Sequence, residues 1–278
     1  MPICPPVAHL TAVLLAACAI GLTAPAQAAT ALASYSFNGN LLASEAGAPA
    51  LLAIDPLAAN GFETAVVHGV PQQVYRWSGD GSASSQQGGL TLDASGLASA
   101  SSYTLTFTFE FLANASTGGG WRRLVDTEGR QSDNGLYLAP GAQLSLVQQA
   151  ETANPQIVNG STLFTTPGFH DVLLSVANAG NGQQQVLGWL DGQLQFSVAT
   201  ATTFTLANAG NPQRLITLFA DNLAAGSQLE YANGRIAALA LYDGVLTPSA
   251  VPELPPAALL AAGMLALGWR LRRLPTRR

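Results

Sequence analysis

Four oxygen-bearing side chains crowd into one short stretch of this sequence: Asp126, Glu128, Asp133 and Asn134. Asp221-Asn222 forms a second, smaller group. No EF-hand-like loop accompanies them, so a cation site here has to be assembled by the fold. Asp126 and Glu128 stand at alternate positions, which on a strand puts both carboxylates on one face. Glu110 lies on the polar side of its own strand and could come near them. The plainer reading is a set of solvated carboxylates beside Arg122, Arg123 and Arg130. His68 and His170 have no supporting pattern except Asp171; neither H-E-x-x-H nor G-x-S-x-G occurs. Trp77, Trp121 and Trp189 offer sugar-stacking surfaces if exposed, with Trp77 and Trp121 the first candidates; core packing is the competing use.

These residues sit in a body that reads as strands throughout. Between Ala29 and Ala250 alternation and turn signals dominate and helical periodicity is hard to find. Ser102 to Leu112 is the clearest element. Tyr103, Leu105, Phe107, Phe109 and Phe111 face one way, while Thr104, Thr106, Thr108 and Glu110 face the other. Asp191-Gly192 between two apolar runs predicts a tight hairpin, because both turn residues must take positive φ. Arg235 to Tyr242 is apolar at nearly every position and reads as a central strand. Other strands are expected at Ala31–Phe37, Thr64–Val70, Gln73–Trp77, Leu90–Leu92, Trp121–Thr127, Leu136–Ala139, Gln143–Gln149, Phe169–Ala177 and Arg214–Ala220. Leu41–Phe62 reads as loop with a short helical piece, Ser78–Gly89 as a surface loop, and Ala150–Pro167 as a long loop. Six Asn-Gly pairs all read as turns. Ala177–Asn181 recurs as Ala207–Asn211, which reads as two similar hairpin loops.

Both ends carry export signals. Leu10 to Leu22 is an apolar run and Ala26-Gln27-Ala28 a small-x-small cleavage site, which places the mature start at Ala29. Leu15-Ala16-Ala17-Cys18 resembles a lipoprotein cleavage box and is the competing reading. At the other end, Val251-Pro252-Glu253 precedes an apolar run from Leu254 to Trp269. As a helix that run spans roughly 24 Å, short of a bilayer core of about 30 Å. Arg270, Arg272, Arg273, Arg277 and Arg278 follow, with no acid, so this end stays cytoplasmic and the body lies outside. Motif, apolar helix and arginines in this order resemble the PEP-CTERM sorting signal of Gram-negative bacteria that make exopolysaccharide. Leu254 stands where that motif usually has its next proline. The resemblance implies that an exosortase cuts near the motif, after the inner membrane has held the chain as an intermediate. An ordinary C-terminal anchor is the alternative.

The body resembles the concanavalin A-like, laminin-G-type jelly roll. The pieces that carry this are Tyr35-Ser-Phe-Asn-Gly39, the Y-T-L-T-F-T-F-E-F strand, F-H-D-V-L-L-S-V leading to G-W-L-D-G, and the closing G-R-I-A-A-L-A-L-Y-D-G-V-L-T-P. The fold class expected is therefore all-β: a signal peptide over 1–28, a sandwich over 29–250 and a sorting tail with one apolar helix over 251–278. In that family the closing segment usually has acids after the isoleucine; Ala237 and Ala238 stand there. The resemblance implies a Ca²⁺ at the sandwich rim, for which Asp126, Glu128, Asp133 and Asn134 are the candidates. It also admits polysaccharide cleavage by an E-x-D-x-x-E strand, but Leu124 replaces the first acid that Asp126 would need.

Composition narrows the partners. Every cation is arginine, and the body holds six against fifteen acids, a balance of −9. That disfavours nucleic acid and anionic lipid as partners. Both cysteines, Cys4 and Cys18, lie in the leader. The reading is an exported, cell-surface or matrix protein, structural or adhesive and not an enzyme. It passes signal peptidase and exosortase and ends near extracellular polysaccharide. A lectin-like glycan-binding module is the first alternative and a polysaccharide-cleaving enzyme the second.

Overall fold

A computed structural model of the chain describes residues 30–99, 101–112, 120–148, 156–164, 167–201, 204–223 and 230–248. The leader with Ala26, Ala28 and Ala29, and the tail from Val251 to Arg278, lie outside the described residues. So do residues 150–155 and 165–166 of the predicted Ala150–Pro167 loop.

The first third of the chain forms β1 (Ala31–Tyr35), β2 (Leu52–Ile54), β3 (Gly61–Val67), β4 (Val70–Trp77) and β5 (Gly89–Asp93). The middle forms β6 (Tyr103–Phe111), β7 (Arg122–Asp126), β8 (Gly135–Leu138), β9 (Gln143–Gln148) and β10 (Gln156–Leu163). The rest forms β11 (His170–Gly180), β12 (Gln183–Leu190), β13 (Gln193–Ala201), β14 (Leu215–Leu218) and β15 (Gly234–Asp243). One sheet runs β13-β12-β11-β6-β15-β4-β3, with β1 sharing β15's free side; the other runs β10-β9-β8-β7-β14-β5-β2. All pairings are antiparallel. The fold is an all-β jelly-roll sandwich: alternation predicts its strands, and the jelly-roll arrangement is the one the resemblance implies.

β6 shows why. Its five inward residues, Tyr103, Leu105, Phe107, Phe109 and Phe111, are all buried between the sheets. Burying each large apolar side chain is worth about 1.5–3 kcal/mol. Trp77 lies flat on Phe219, ring centroids 3.7 Å apart, and its indole Nε1 donates to the Ala232 carbonyl at 2.9 Å. That stack holds Phe219 at φ 70°, a left-handed conformation an aromatic residue seldom takes, and the chain turns there toward Asp221. Gly234 leaves room for the Trp77 ring, which a Cβ would strike.

Asp191-Gly192 forms its hairpin with φ values of 50° and 77°. Asn181-Gly182 does the same between β11 and β12 (53°, 73°). The β3–β4 turn falls at His68-Gly69, both with positive φ and inside the expected Thr64–Val70 strand, and Pro71 pairs with Val66 within the hairpin. Leu41–Phe62 contributes the short β2 and no helix among its residues. The expectation for Asn-Gly fails at four places. Asn60, Asn134 and Asn233 precede strands, and Asn159-Gly160 lies inside β10, which replaces part of the predicted Ala150–Pro167 loop. Gly160 sits under Gln195 of β13, so no Cβ fits. The two Ala-Asn-Ala-Gly-Asn copies also differ. The first ends β11, while the second is a plug whose Asn208 and Asn211 amides both donate to the Thr127 carbonyl, at 3.0 and 2.8 Å.

Candidate functional site

The outer faces of the two sheets, away from the shared core, carry the groups that could act. On the second sheet, register sets Arg123 beside Tyr137, and Tyr137 beside Ser145. None of the three joins the inter-sheet core. The segment after β7 folds back over this face, and Arg123 is fully buried beneath it. Its guanidinium donates to Asp126 Oδ2 at 2.5 Å, to Tyr137 Oη at 2.7 Å and to the Ser132 carbonyl at 2.7 Å. Asp221 Oδ1 lies 3.7 Å from Nε. Burial works against the Arg123 charge, but Tyr137, Asp126 and Asp221 more than offset this and raise its pKa.

The predicted oxygen cluster is divided by this arrangement. Asp126 is wholly engaged: Oδ2 holds Arg123, and Oδ1 accepts the backbone N–H of Glu128 and Arg130 at 3.1 and 2.8 Å. Glu128 lies in the turn beyond β7, off the strand, and its Oε2 takes the Ser132 hydroxyl and the Asn134 amide. Asp133 instead meets Asp221 and Glu230, their carboxylate oxygens mutually within 4.8 Å. Among the described residues this trio is the set whose oxygens converge as hard-cation ligands. Asp221 came from the second, smaller group in the sequence, and Glu230 carried no signal at all. Glu230 Oε2 is buried without a hydrogen-bond partner. Burial, reinforced by Asp221, pushes the Glu230 carboxyl up to about 7. Glu110 never approaches these acids. It belongs to the other sheet, where it accepts from Arg235 at 2.9 Å.

The first sheet's outer face is built differently. β4 pairs with β15 only over Tyr75–Trp77, and beyond that the β3–β4 hairpin arches over the sheet. Ala65, Val67 and Val74 pack there on Ala237 and Phe169, and His68 Nε2 at the tip lies 3.3 Å from Asp171 Oδ2 on β11. At the opposite end the segment after β15 crosses the same face. Leu246 N donates to Thr104 Oγ1 at 2.9 Å, and Ser175 Oγ donates to the Leu246 carbonyl at 2.8 Å.

Between these two covers lies a groove of about 450 Å³. A bulge at Ala237 resets β15 so that Ile236, Leu239 and Leu241 all face the core while Ala238, Ala240 and Tyr242 face out. Register then lines up two rows across the floor: Ala238, Thr108, Asp171, and Ala240, Thr106, Leu173, Trp189. The short side chains of Ala238 and Ala240 make the depression. Thr108 Oγ1 donates to Asp171 Oδ1 at 2.6 Å; Asp171 N donates to Asp191 Oδ1 at 2.9 Å; His170 Nδ1 lies 2.6 Å from Asp191 Oδ2. Pro248 stands on the rim.

The tryptophans fall out accordingly. Trp77, predicted as a stacking surface, has no exposed area, since its ring is sandwiched in the core. Trp121 is half-buried with its ring perpendicular to Tyr137 at 5.9 Å. Trp189 is the one that lines the groove. The threonines of β6 were legible as its polar face, but nothing in the sequence marked them as a floor.

No protein-family model matches the chain, and no curated protein sequence matches it significantly. Solved structures share its outline at low identity. The sialidase CBM40 of Ruminococcus gnavus bound to α2,3-sialyllactose is 13% identical, with a TM-score of 0.41, over 55% of this chain and 81% of that one. The binding domain of botulinum neurotoxin serotype D/C is 12% identical, with a TM-score of 0.48, over 78% of this chain and 49% of that one. The PL-14 alginate lyase of Aplysia kurodai is 13% identical, with a TM-score of 0.45, over 79% of this chain and 100% of that one. At these identities the likeness is one of fold alone.

Proposed function

We propose that this protein is an exported adhesive module that attaches to extracellular polysaccharide through the groove on its first sheet. The observation that carries this reading is the groove itself. Its size suits a few sugar units, and its surface mixes the half-buried Tyr242 ring and the edge of Trp189, which is itself 7% exposed, with the Thr106 and Thr108 hydroxyls and the Asp171 carboxylate. Pyranose rings need that mixture, apolar surface for their C–H faces and scattered polar atoms for their hydroxyls. The threonines and alanines are short, so little side-chain entropy is lost when a ligand settles on them.

Delivery follows from the ends of the chain. Signal peptidase removes the leader after Ala28, the apolar run holds the body at the inner membrane, and an exosortase releases it near Val251-Pro252-Glu253. The protein then resides on the outer surface or in the matrix of a Gram-negative cell. Pro248, on the groove rim, is three residues before that motif.

Two measurements test this. Ala238→Trp fills the floor, so retention on immobilised exopolysaccharide should fall at least about tenfold, which corresponds to about 1.4 kcal/mol. Binding that is undiminished would remove the groove from the account. Mass spectrometry of protein recovered from the cell surface should find a C-terminus upstream of Leu254; recovery of chains ending in Arg278 would overturn the sorting step.

A further inference from the structure

Resting on the groove reading, we infer that Asp171 makes the site selective for glycans that carry free amino groups, over neutral ones and against acidic ones. The charges around the groove carry the argument. Asp171 is exposed at the end of the floor, its side chain 56% accessible, and Asp191 stands beside it at 43%. Two histidines, His68 and His170, are their ring partners. The arginines that share this outer face lie toward the arched hairpin. Arg235 is held between Glu63 and Glu110, and Arg76 is its neighbour across the strand pair. Four carboxylates therefore face two guanidinium groups, and neither guanidinium lines the groove.

A uronate or sialate carboxylate on this floor would meet Asp171 with no arginine to receive it, and like charges at contact disfavour binding. A protonated sugar amine meets the reverse. Each Asp171 oxygen has one partner, Thr108 on Oδ1 and His68 on Oδ2, and a carboxylate oxygen accepts more than one hydrogen bond. An ammonium brings three donors and a charge of the complementary sign. The body's balance of −9 adds a long-range pull on a polycation and a push on a polyanion.

The test compares three oligosaccharides of equal length by calorimetry on the mature domain: a glucosamine oligomer with free amines, a cello-oligosaccharide and an alginate oligomer. The expected order of affinity is amine, neutral, acidic. The amine preference should amount to about two- to fivefold, the range of an exposed ion pair, and should shrink as salt rises. Asp171→Asn should abolish that preference, lowering affinity for the aminated oligomer more than for the cello-oligosaccharide; Asp191→Asn should reduce it less. If the neutral oligomer binds as tightly as the aminated one, or Asp171→Asn leaves the order intact, the inference is wrong and the groove reading stands. If none of the three binds and Ala238→Trp changes nothing, both fall together.

Discussion

The two sheets present their outer faces in opposite ways. On the second sheet the polypeptide folds back over Arg123, buries it completely, and consumes its donors on Asp126, Tyr137 and the Ser132 carbonyl. On the first sheet two covers stop short of each other and leave a floor of alanine and threonine between them. A buried charge is tolerable only when its partners are built in, so the Arg123 region is committed to holding its loops. The groove has the reverse property: small side chains, few internal bonds across the floor, and polar atoms still able to accept or donate. Charge density alone is thus a poor guide to where this molecule binds anything. Its most charged region is chiefly architecture, and its floor of short side chains, with Asp171 at one end, is the part left open.

Arg123→Met is the strongest way to break that contrast. The side chain is of similar length, so the loss is the charge and the donors, with Asp126 and Asp221 left buried beside an apolar group. Removing one member of a buried ion pair costs about 3–5 kcal/mol. Equilibrium unfolding in denaturant measures it. Combining Arg123→Met with Asp126→Leu should recover part of the loss, because the second change removes the stranded carboxylate. A single substitution that costs less than about 1 kcal/mol would mean that the Arg123 region holds the loops by packing and not by charge.

Glu230 gives the next largest effect, through pH. Its carboxyl titrates at about 7 in the folded chain against an ordinary 4.5, chiefly because burial penalises its charge and because Asp221 is close. The folded state therefore holds this proton more tightly than the unfolded state does. Stability is greatest below the unfolded value, declines as pH rises from about 4.5 to about 7, and levels off above. With partial solvent screening the decline is on the order of 2 kcal/mol. Glu230→Gln should flatten it, leaving stability similar at low pH and higher than that of the parent protein in mild alkali. Thermal melts across that window provide the check. A parent whose stability climbs with pH would show that another group dominates. A Ca²⁺-dependent rise in melting temperature that vanishes in Glu230→Gln would instead give the Asp133, Asp221 and Glu230 oxygens a cation to hold.

What the sequence made legible follows the range of the forces involved. β6 and the Asp191-Gly192 turn depend on neighbours a few residues away, and alternation or a positive-φ requirement announces them. β10 was hidden because Asn159-Gly160 has the composition of a turn. Its glycine answers to Gln195 on another strand, a contact no local pattern encodes. The oxygen cluster was visible as composition but not as geometry. Asp126 and Asp133 are seven positions apart, and the fold turns the first inward on Arg123 and the second toward Asp221 and Glu230. The groove was least visible. It arises from a bulge at Ala237, an arched hairpin and a closing segment that meet only in three dimensions.

The smallest expected effect on stability belongs to the substitution with the largest expected effect on binding. Ala238 is exposed on the floor, and tryptophan is well suited to a strand, so Ala238→Trp should shift unfolding by less than about 1 kcal/mol in either direction. Arg123→Met, by contrast, should lower stability severely and, wherever the domain remains folded, leave glycan retention intact. The two substitutions form a crossed pair, each moving the property that the other spares. If Ala238→Trp unfolds the domain as readily as Arg123→Met, the floor is part of the scaffold, because an exposed, uncommitted surface would accept the ring. If it spares the fold and ends retention, the short side chains of β6 and β15 are there to leave space.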